Sequence, residues 1–306
     1  MEQYSIIVSG ISGFVGQNLN TYFLNSGVNV EALSLRMLDW PDRLSLVKAR
    51  AIIHLAGKAH DTSNTTNAEL YFKVNRDLTI RLFDQFLDTN IQDFFYFSSV
   101  KAVADTVEGE LLEDVEASPQ TPYGKSKLEA EEYLLSKKLP LGKRVFIIRP
   151  CMIHGPGNKG NLTLLYNIVE KGFPWPLAAF ENKRSFLGID NLCYLLQKII
   201  EKDDVPSGIY NFADDTSLST NLLVEIIAES LKMKPRLWHI SPSLMHFGAK
   251  VGDTFKLALN SERLKKLTES YVVSNAKVKK AIEIELLPYT TEEGLRKTIK
   301  SFSHRD

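Results

Sequence analysis

The chain has 306 residues, with 37 Lys and Arg side chains against 37 Asp and Glu, so its formal net charge at pH 7 is zero. Hydrophobic residues make up 44% and charged residues 24%, which is typical of a globular protein rather than a disordered one. The charge balance argues against a broad basic face for nucleic acid or membrane lipid, and no apolar run reaches the ~18 residues of a membrane span. The sequence therefore predicts neither nucleic acid nor a membrane as a partner.

The first half of the chain alternates short β-branched or aromatic runs with longer helical patterns. Strands are predicted at residues 4–9, 28–33, 51–56, 94–98 and 145–149, and helices at 17–25, 70–87 and 125–138. This alternation indicates βαβ units and hence an α/β fold with a Rossmann-type, doubly wound parallel sheet. We expect residues 1–157 to form an NAD(P)-binding domain.

The second half is less regular. The run HGPGNKG, from His154 to Gly160, predicts a loop. Helices are predicted at 162–171, 191–201 and 221–231, and a strand near 209–212 is expected to return to the first sheet. Residues 158–306 are therefore expected to form mainly a smaller C-terminal α/β domain that binds substrate.

A glycine-spaced loop follows the first strand and opens the first helix. Gly10, Gly13 and Gly16 are spaced three apart in SGISGFVG. Glycines permit the tight turn and a close backbone approach to a pyrophosphate. The N–H groups of the first helical residues, Phe14 and Val15 among them, would face the same anion. A glycine pattern alone is a weak signal, but its position between strand and helix favours dinucleotide binding over simple packing.

The end of the second predicted strand bears on which dinucleotide binds. An acidic residue there would accept hydrogen bonds from the ribose hydroxyls of NAD. This chain instead has Leu33-Ser34-Leu35-Arg36, and the planar guanidinium of Arg36 suits a 2′-phosphate. The sequence therefore favours NADP over NAD. The alternative, that Arg36 is only a solvated surface residue, stays open.

A Tyr-x-x-x-Lys pair lies at Tyr123 and Lys127, where a helix would place both side chains on one face. A nearby ammonium, with the charge of an oxidised nicotinamide, would favour the tyrosinate and make Tyr123 an acid/base. The pair occurs often by chance. Ser99, however, follows the fourth predicted strand, at the sheet edge where α/β proteins bind ligands. The glycine loop, the serine and the Tyr–Lys pair together form a strong joint signal.

These motifs resemble the extended short-chain dehydrogenase/reductase family, in its branch of nucleotide-sugar epimerases, dehydratases and 4-keto-sugar reductases. The similarity covers nearly the whole chain. It rests on the segments SGISGFVGQNL, IIHLAGKAH, VNRDLT, FFYFSSVKAV, TPYGKSKLEAEEYL, RPCMIHGPGNKGNL, RSFLGIDNL and NFADD.

The resemblance implies roles for individual residues. It implies a catalytic triad of Ser99, Tyr123 and Lys127, with Lys127 also holding the nicotinamide ribose. It implies cofactor contacts at Gly10, Gly13, Phe14, Val15, Gly16, Leu55, Ala56, Gly57, Asn75 and Pro150, which join Arg36 from the end of the second predicted strand. It implies substrate contacts at Ser99, Lys101, Asn161, Leu162 and Arg184, with Arg184 pairing with the sugar diphosphate.

Departures from the family pattern narrow the expected activity. The dehydratases carry an Asp-Glu pair after the serine, whereas this chain has Val100-Lys101, so 4,6-dehydration is disfavoured. The resemblance thus implies a 4-epimerase or 4-keto reductase of a nucleotide-diphosphate sugar, used in surface-polysaccharide precursor synthesis and assembled as a homodimer. A non-catalytic NADP-binding sensor or scaffold, and a reductase of a non-sugar carbonyl, remain alternatives.

The histidines and cysteines offer no metal or disulfide pattern. His54 is expected to be packed inside the third strand, whereas His60 and His154 could line the cleft. Cys151 is expected to pack as a small residue and, with Cys193, to stay reduced in a cytoplasmic protein.

Overall fold

The computed structural model describes residues 4–59, 67–158, 160–255 and 260–302. The strands within these ranges are β1 (Ser5–Ser9), β2 (Asn29–Leu33), β3 (Ala51–His54), β4 (Asp93–Phe97), β5 (Glu110–Leu111), β6 (Arg144–Pro150), β7 (Met152–His154), β8 (Phe186–Gly188), β9 (Gly208–Phe212) and β10 (Val272–Val273). The helices are α1 (Phe14–Asn25), α2 (Trp40–Leu46), α3 (Ala68–Tyr71), α4 (Leu78–Leu87), α5 (Pro122–Ser136), α6 (Asn161–Glu170), α7 (Ile189–Glu201), α8 (Thr220–Ser230), α9 (Pro242–Phe255), α10 (Ser261–Thr268), α11 (Ala276–Ala281) and α12 (Thr291–Phe302).

Six strands form one parallel sheet in the order β2-β1-β3-β4-β6-β9. The central strands β3 and β4 are buried along their whole length because helices cover both faces of the sheet. The strand order reverses next to β1, so the crevice at the carboxyl ends of β1, β3 and β4 is where ligands bind in such sheets. The expected Rossmann-type fold is confirmed.

The last strand of the sheet comes from the second half of the chain. β9 pairs with β6, with Pro150 opposite Phe212. α7 packs into the same core through Leu192, Leu195 and Ile199. Part of the second half of the chain therefore completes the hydrophobic core around the sheet. The rest of it builds a separate hydrophobic core.

A second hydrophobic core joins α6, α8, α9, α10 and α12, whose buried side chains include Tyr166, Ile227, Met245, Leu264 and Ile299. The short pairs β7–β8 and β5–β10 link this part to the sheet. No helix among the residues that the structure describes is long and apolar enough to cross a bilayer. The division at residue 157 stays a prediction.

One helix pattern is interrupted where the sequence predicts a continuous helix over 70–87. Between α3 and α4, residues Phe72–Asp77 form a π-helical turn, in which the N–H of Leu78 bonds to the carbonyl of Lys73. This turn buries Asn75 completely. π-Helical turns are frequent at functional sites because they displace one residue from the regular helical positions.

Candidate functional site

The glycine loop packs too closely for side chains. Gly10 has φ +78°, and a Cβ there would lie 2.6 Å from the backbone nitrogen of Ala56. A Cβ at Gly16 would lie 2.5 Å from the carbonyl oxygen of Gly10. Gly13 precedes α1 and provides no side-chain cap, so the first N–H groups of α1 are left for another acceptor. The loop therefore fits a dinucleotide pyrophosphate.

The other predicted cofactor residues lie along the same sheet edge. The N–H of Leu55 donates to the carbonyl of Ser9 at 3.0 Å, which places Ala56 and Gly57 directly beside the glycine loop. Arg36 is exposed three residues beyond the end of β2, the strand next to β1. Pro150 ends β6. Phe14 and Val15 are partly buried in the first turn of α1.

Ser99 and Tyr123 meet at the carboxyl end of β4. Thr121 caps α5 by accepting a hydrogen bond from Gly124, which places Tyr123 in the first turn of that helix. Ser99 lies two residues beyond β4 and is hydrogen bonded to the Tyr123 side chain. A serine and a tyrosine hydroxyl in this contact can share a hydrogen-bond network with one substrate oxygen.

Lys127 is buried one turn further along α5. Its Nζ donates to the carbonyl of Phe97 at 2.7 Å and lies 4.9 Å from the Tyr96 ring centroid. Burial lowers the pKa of Lys127 to about 8, against the opposing charge of Glu131. The ammonium is therefore weakly solvated and oriented by the end of β4.

The expected lowering of the Tyr123 pKa is not found in the protein alone. Burial raises the pKa of the Tyr123 phenol, and the hydrogen bond from Ser99 only partly opposes that change. The Lys127 ammonium donates to the carbonyl of Phe97. Without a bound dinucleotide, Tyr123 is thus held as the neutral phenol, the form that donates a proton.

Asn75 fixes the loop beside the Lys127 ammonium. Its Oδ1 accepts from the N–H of Lys58 at 2.7 Å, and its Nδ2 donates to the carbonyl of Lys58 and to Ser126 Oγ. A Cβ at Gly57 would lie 3.1 Å from Asn75 Oδ1 and 3.4 Å from Lys127 Nζ. Asn75 therefore acts as a positioning residue between the loop after β3 and α5.

A buried ion pair beneath the site was missed by the sequence reading. Arg149 Nη2 lies 2.5 Å from Glu131 Oε2, and both side chains are almost fully buried. Ser98 Oγ donates to the other oxygen of Glu131. This network ties β4, α5 and β6 together immediately below Ser99 and Lys127. The one sequence feature that pointed to Glu131 was its position four residues after Lys127, on the same face of α5.

Two predicted substrate residues, Arg184 and Lys101, lie close to each other, and the N–H of Lys101 donates to Ser99 Oγ. Arg184 Nη2 donates to the carbonyl of Lys266, while its Nε is buried without a hydrogen-bond partner among the described residues. Burial lowers the pKa of the Arg184 guanidinium. Lys101 donates to the carbonyl of Asp105 at 2.8 Å and lies over the Tyr271 ring. Lys101 is near enough to Arg184 for their charges to interact, and the carboxylates of Asp105 and Glu269 also act on Lys101, so the two cations lie in a region of mixed charge.

Asn161 and Leu162 begin α6. Asn161 is exposed, whereas the Leu162 side chain is buried in the second core. Only the backbone of Leu162 can therefore contact a ligand. The N-terminus of α6 has no side-chain cap, so its first N–H groups suit an anion.

Two of the histidines singled out in the sequence, His54 and His154, are buried and hydrogen bonded inside the protein. His54 is buried, as expected, and bridges Ser9 at 2.6 Å and Thr79 at 2.9 Å. The expectation that His154 lines the cleft is wrong, because it is buried against Thr298, with Nδ1 2.9 Å from the threonine hydroxyl. His60 lies outside the described residues. No metal-binding cluster of His, Cys, Asp and Glu occurs within the described ranges.

The His54 contacts require a neutral imidazole. The Thr79 hydroxyl donates to the carbonyl of Asn75, so it accepts from His54 Nε2, and Nδ1 accepts from Ser9. Burial lowers the pKa of His54 from its usual 6.5 to about 3. As the pH falls below 6.5, only the unfolded chain gains this proton, so stability is lost on acidification.

We expect the free energy of unfolding to fall by about 1.4 kcal/mol per pH unit between pH ~6 and ~4 on account of His54. His54→Gln removes the titrating group, so its slope over this range should be shallower by that amount. Urea unfolding of both proteins across this pH range measures the difference. Equal slopes would show that His54 is protonated in the folded protein.

The sequence profile of the NAD dependent epimerase/dehydratase family matches residues 6–213. UDP-glucose 4-epimerase of Vibrio cholerae is 29% identical, over 97% of this chain and 95% of that protein. N-acetyl-alpha-D-glucosaminyl-diphospho-ditrans,octacis-undecaprenol 4-epimerase of Escherichia coli O157:H7 is 26% identical, over 97% and 94%.

Solved structures show the same fold. MoeE5 in complex with UDP-glucose and NAD has a TM-score of 0.75 at 20% identity, over 98% of each chain. RMD from Pseudomonas aeruginosa complexed with NADPH has a TM-score of 0.74 at 19% identity, over 99% of this chain and 100% of that one. The fold and the glycine loop define a Rossmann-type enzyme that uses a nicotinamide dinucleotide. The chain belongs to the NAD dependent epimerase/dehydratase family.

Proposed function

We propose that this enzyme transfers a hydride between C4 of a nucleotide-diphosphate sugar and a nicotinamide dinucleotide, as a 4-epimerase or a 4-keto reductase. The observation that carries the proposal is the Ser99–Tyr123 contact at the carboxyl edge of the sheet, beside the glycine loop. Both named relatives are 4-epimerases whose hexose is attached to a diphosphate, which supports the same position of reaction.

In this reaction each of the chain's own residues would have a separate role. Tyr123 gives a proton to, or takes one from, the sugar 4-oxygen, and Ser99 hydrogen-bonds that oxygen. Lys127 holds the nicotinamide ribose, and the loop of Gly10, Gly13 and Gly16 holds the pyrophosphate. The dinucleotide, when bound, supplies or accepts the hydride. The neutral phenol favoured by burial suits the reducing direction, in which Tyr123 donates its proton to the forming alcohol.

The diphosphate of the sugar would bind between Arg184 and the N-terminus of α6. The unpartnered Arg184 Nε offers a buried donor, and Asn161 and Leu162 offer backbone N–H groups. Lys101 stands where a dehydratase would have a carboxylate, so no side chain there removes a sugar proton. This arrangement supports a redox change at C4 without loss of water.

Arg184→Ala is expected to raise KM for the sugar by more than about thirtyfold with little change in kcat, because a buried charged contact to the diphosphate is lost. Lys183→Ala, at the exposed neighbouring position, should leave KM unchanged. Steady-state kinetics of the three proteins make the comparison. An unchanged KM in Arg184→Ala would favour a reductase of a carbonyl without a diphosphate.

We further propose that the dinucleotide is NADP, on the strength of Arg36 and the lack of a carboxylate at the end of β2. Arg36→Ala should weaken NADPH binding about tenfold, through loss of a charge-assisted contact, and leave NADH binding unchanged. Arg43→Ala on α2 serves as the control. Fluorescence titration of the wild type and both variants measures the six affinities, and equal effects of Arg36→Ala on both dinucleotides would contradict the assignment.

The enzyme is also proposed to be a cytoplasmic homodimer. Leu70 on α3 and Leu135 on α5 are 42% and 51% exposed, and these helices pack against each other on one face of the sheet. Sedimentation equilibrium would test the dimer, and Leu135→Glu should shift it toward monomer if this face is the interface.

A further inference from the structure

Helix α9 exposes an apolar stripe. Leu244, Phe247, Val251 and Phe255 are spaced three and four residues apart, so they lie on one face of the helix. Leu244, Phe247 and Phe255 are 60%, 65% and 70% exposed. A different face, formed by Met245, Ala249 and Gly252, is the one buried in the second core. Packing against the other residues that the structure describes therefore does not explain the stripe.

The same part of the chain is strongly basic. Residues 231–268 contain eight Lys and Arg against two Asp and Glu, although the whole chain is neutral. Lys232, Lys234, Lys250 and Lys265 are exposed, and none of them forms an ion pair with another described residue. Trp238, four residues before α9, is 57% exposed. Lys250 lies on α9 itself, and Lys265 lies on α10, which packs against α9. Exposed apolar side chains next to lysines without ion-pair partners are typical of surfaces that bind anionic lipid.

We propose that α9 docks on an anionic lipid bilayer, with its apolar stripe among the acyl chains and the neighbouring lysines at the headgroups. A second copy of this chain fits the surface less well. A two-fold contact along α9 would bring Lys250 and its neighbours toward their own copies. Four side chains on one helix also offer much less than the roughly 800 Å² per partner of a stable interface.

The docking surface is connected to the proposed substrate site. Asp253, near the end of α9, accepts hydrogen bonds from the N–H and hydroxyl of Ser261 at the start of α10. At the other end of α10, the carbonyl of Lys266 accepts from Arg184. A bilayer bound at α9 would therefore lie one helix away from Arg184. The inference itself does not depend on which sugar is used.

Co-sedimentation with vesicles tests the proposal. The wild-type chain should bind vesicles of equal parts phosphatidylglycerol and phosphatidylcholine, and bind pure phosphatidylcholine vesicles much less. The double variant Leu244→Glu with Phe247→Glu should bind the anionic vesicles at least about tenfold more weakly. A matched control, Leu46→Glu with Leu141→Glu, changes two other highly exposed leucines and should bind like wild type. Unchanged circular dichroism and Tm establish that each variant is folded.

Any one of three results would overturn the proposal. The wild type could fail to bind anionic vesicles, it could bind both vesicle types equally, or the α9 and control variants could lose vesicle binding to the same extent. Loss of a dimer in the α9 variant, with no vesicle binding by wild type, would instead make the stripe a contact between copies.

Discussion

Replacing Tyr123 with Phe is expected to lower kcat by about 10²- to 10⁴-fold, the usual contribution of a positioned acid/base. The phenylalanine ring keeps the packing of Tyr123 against Tyr71, whose ring centroid lies 6.0 Å away. The hydroxyl that contacts Ser99 is the group removed. Dinucleotide affinity and Tm should therefore stay close to wild type while turnover is lost.

The control for this variant lies on the same helix. Tyr133→Phe, ten residues further along α5, removes a hydroxyl that bonds to Asp84 on the exposed side of the helix. Its kcat should be unchanged. Steady-state rates with the true sugar, together with dinucleotide titration, compare the two variants. A Tyr123→Phe enzyme with kcat within about threefold of wild type would rule out the acid/base role.

Replacing Glu131 with Leu is expected to destabilise the fold by about 3–5 kcal/mol, because Arg149 is then buried without its counter-charge. Ser98 also loses its acceptor, next to the site serine. Glu131→Leu should lower both the denaturant midpoint and kcat. The network joins the end of β4, α5 and β6, which position Ser99, Lys127 and Pro150.

The double variant Glu131→Leu with Arg149→Met shows how much of the destabilisation comes from the unpaired charge of Arg149 and how much from altered packing. Two apolar side chains of similar volume leave no unpaired charge, so most of the lost stability should return. Urea unfolding of the wild type, both single variants and the double variant forms the cycle. If the double variant is as unstable as the sum of the single variants, the pair does not act as a unit.

The sequence predicted the sheet well because parallel strands leave a strong pattern. The buried runs of β3, β4 and β6 are continuous apolar segments, and the glycine loop identified the start of α1. The short strands β5, β7, β8 and β10 were not predicted. Strands of two or three residues, such as Val272–Val273, carry no periodicity, and their pairing is decided by contacts between distant segments.

The sequence predicted which residues lie at the site better than it predicted their charges and hydrogen bonds. Spacing alone places Tyr123 and Lys127 on one helix face, and the structure agrees. The direction of the Lys127 ammonium depends on the carbonyl at the end of β4, which no local pattern reveals. His154 was misjudged for a similar reason, since its partner Thr298 lies 144 residues away.

Net charge was the least informative sequence quantity. The zero total excluded a basic face over the whole molecule, yet residues 231–268 are strongly basic. The exposed side chains of Leu244 and Phe247 lie in this same segment, on α9, and belong to the surface that we propose binds lipid.

The central claim is tested most directly by following the sugar itself. The enzyme is incubated with nucleotide-linked hexoses and NADP⁺, which can oxidise C4, and separately with 4-keto sugars and deuteride-bearing NADPH, which can reduce C4, and the products are analysed by NMR. We predict change at C4 alone, either deuterium incorporated there or an inverted configuration, and none with Tyr123→Phe. Dinucleotide binding without change in any sugar would contradict the account and favour a non-catalytic sensor.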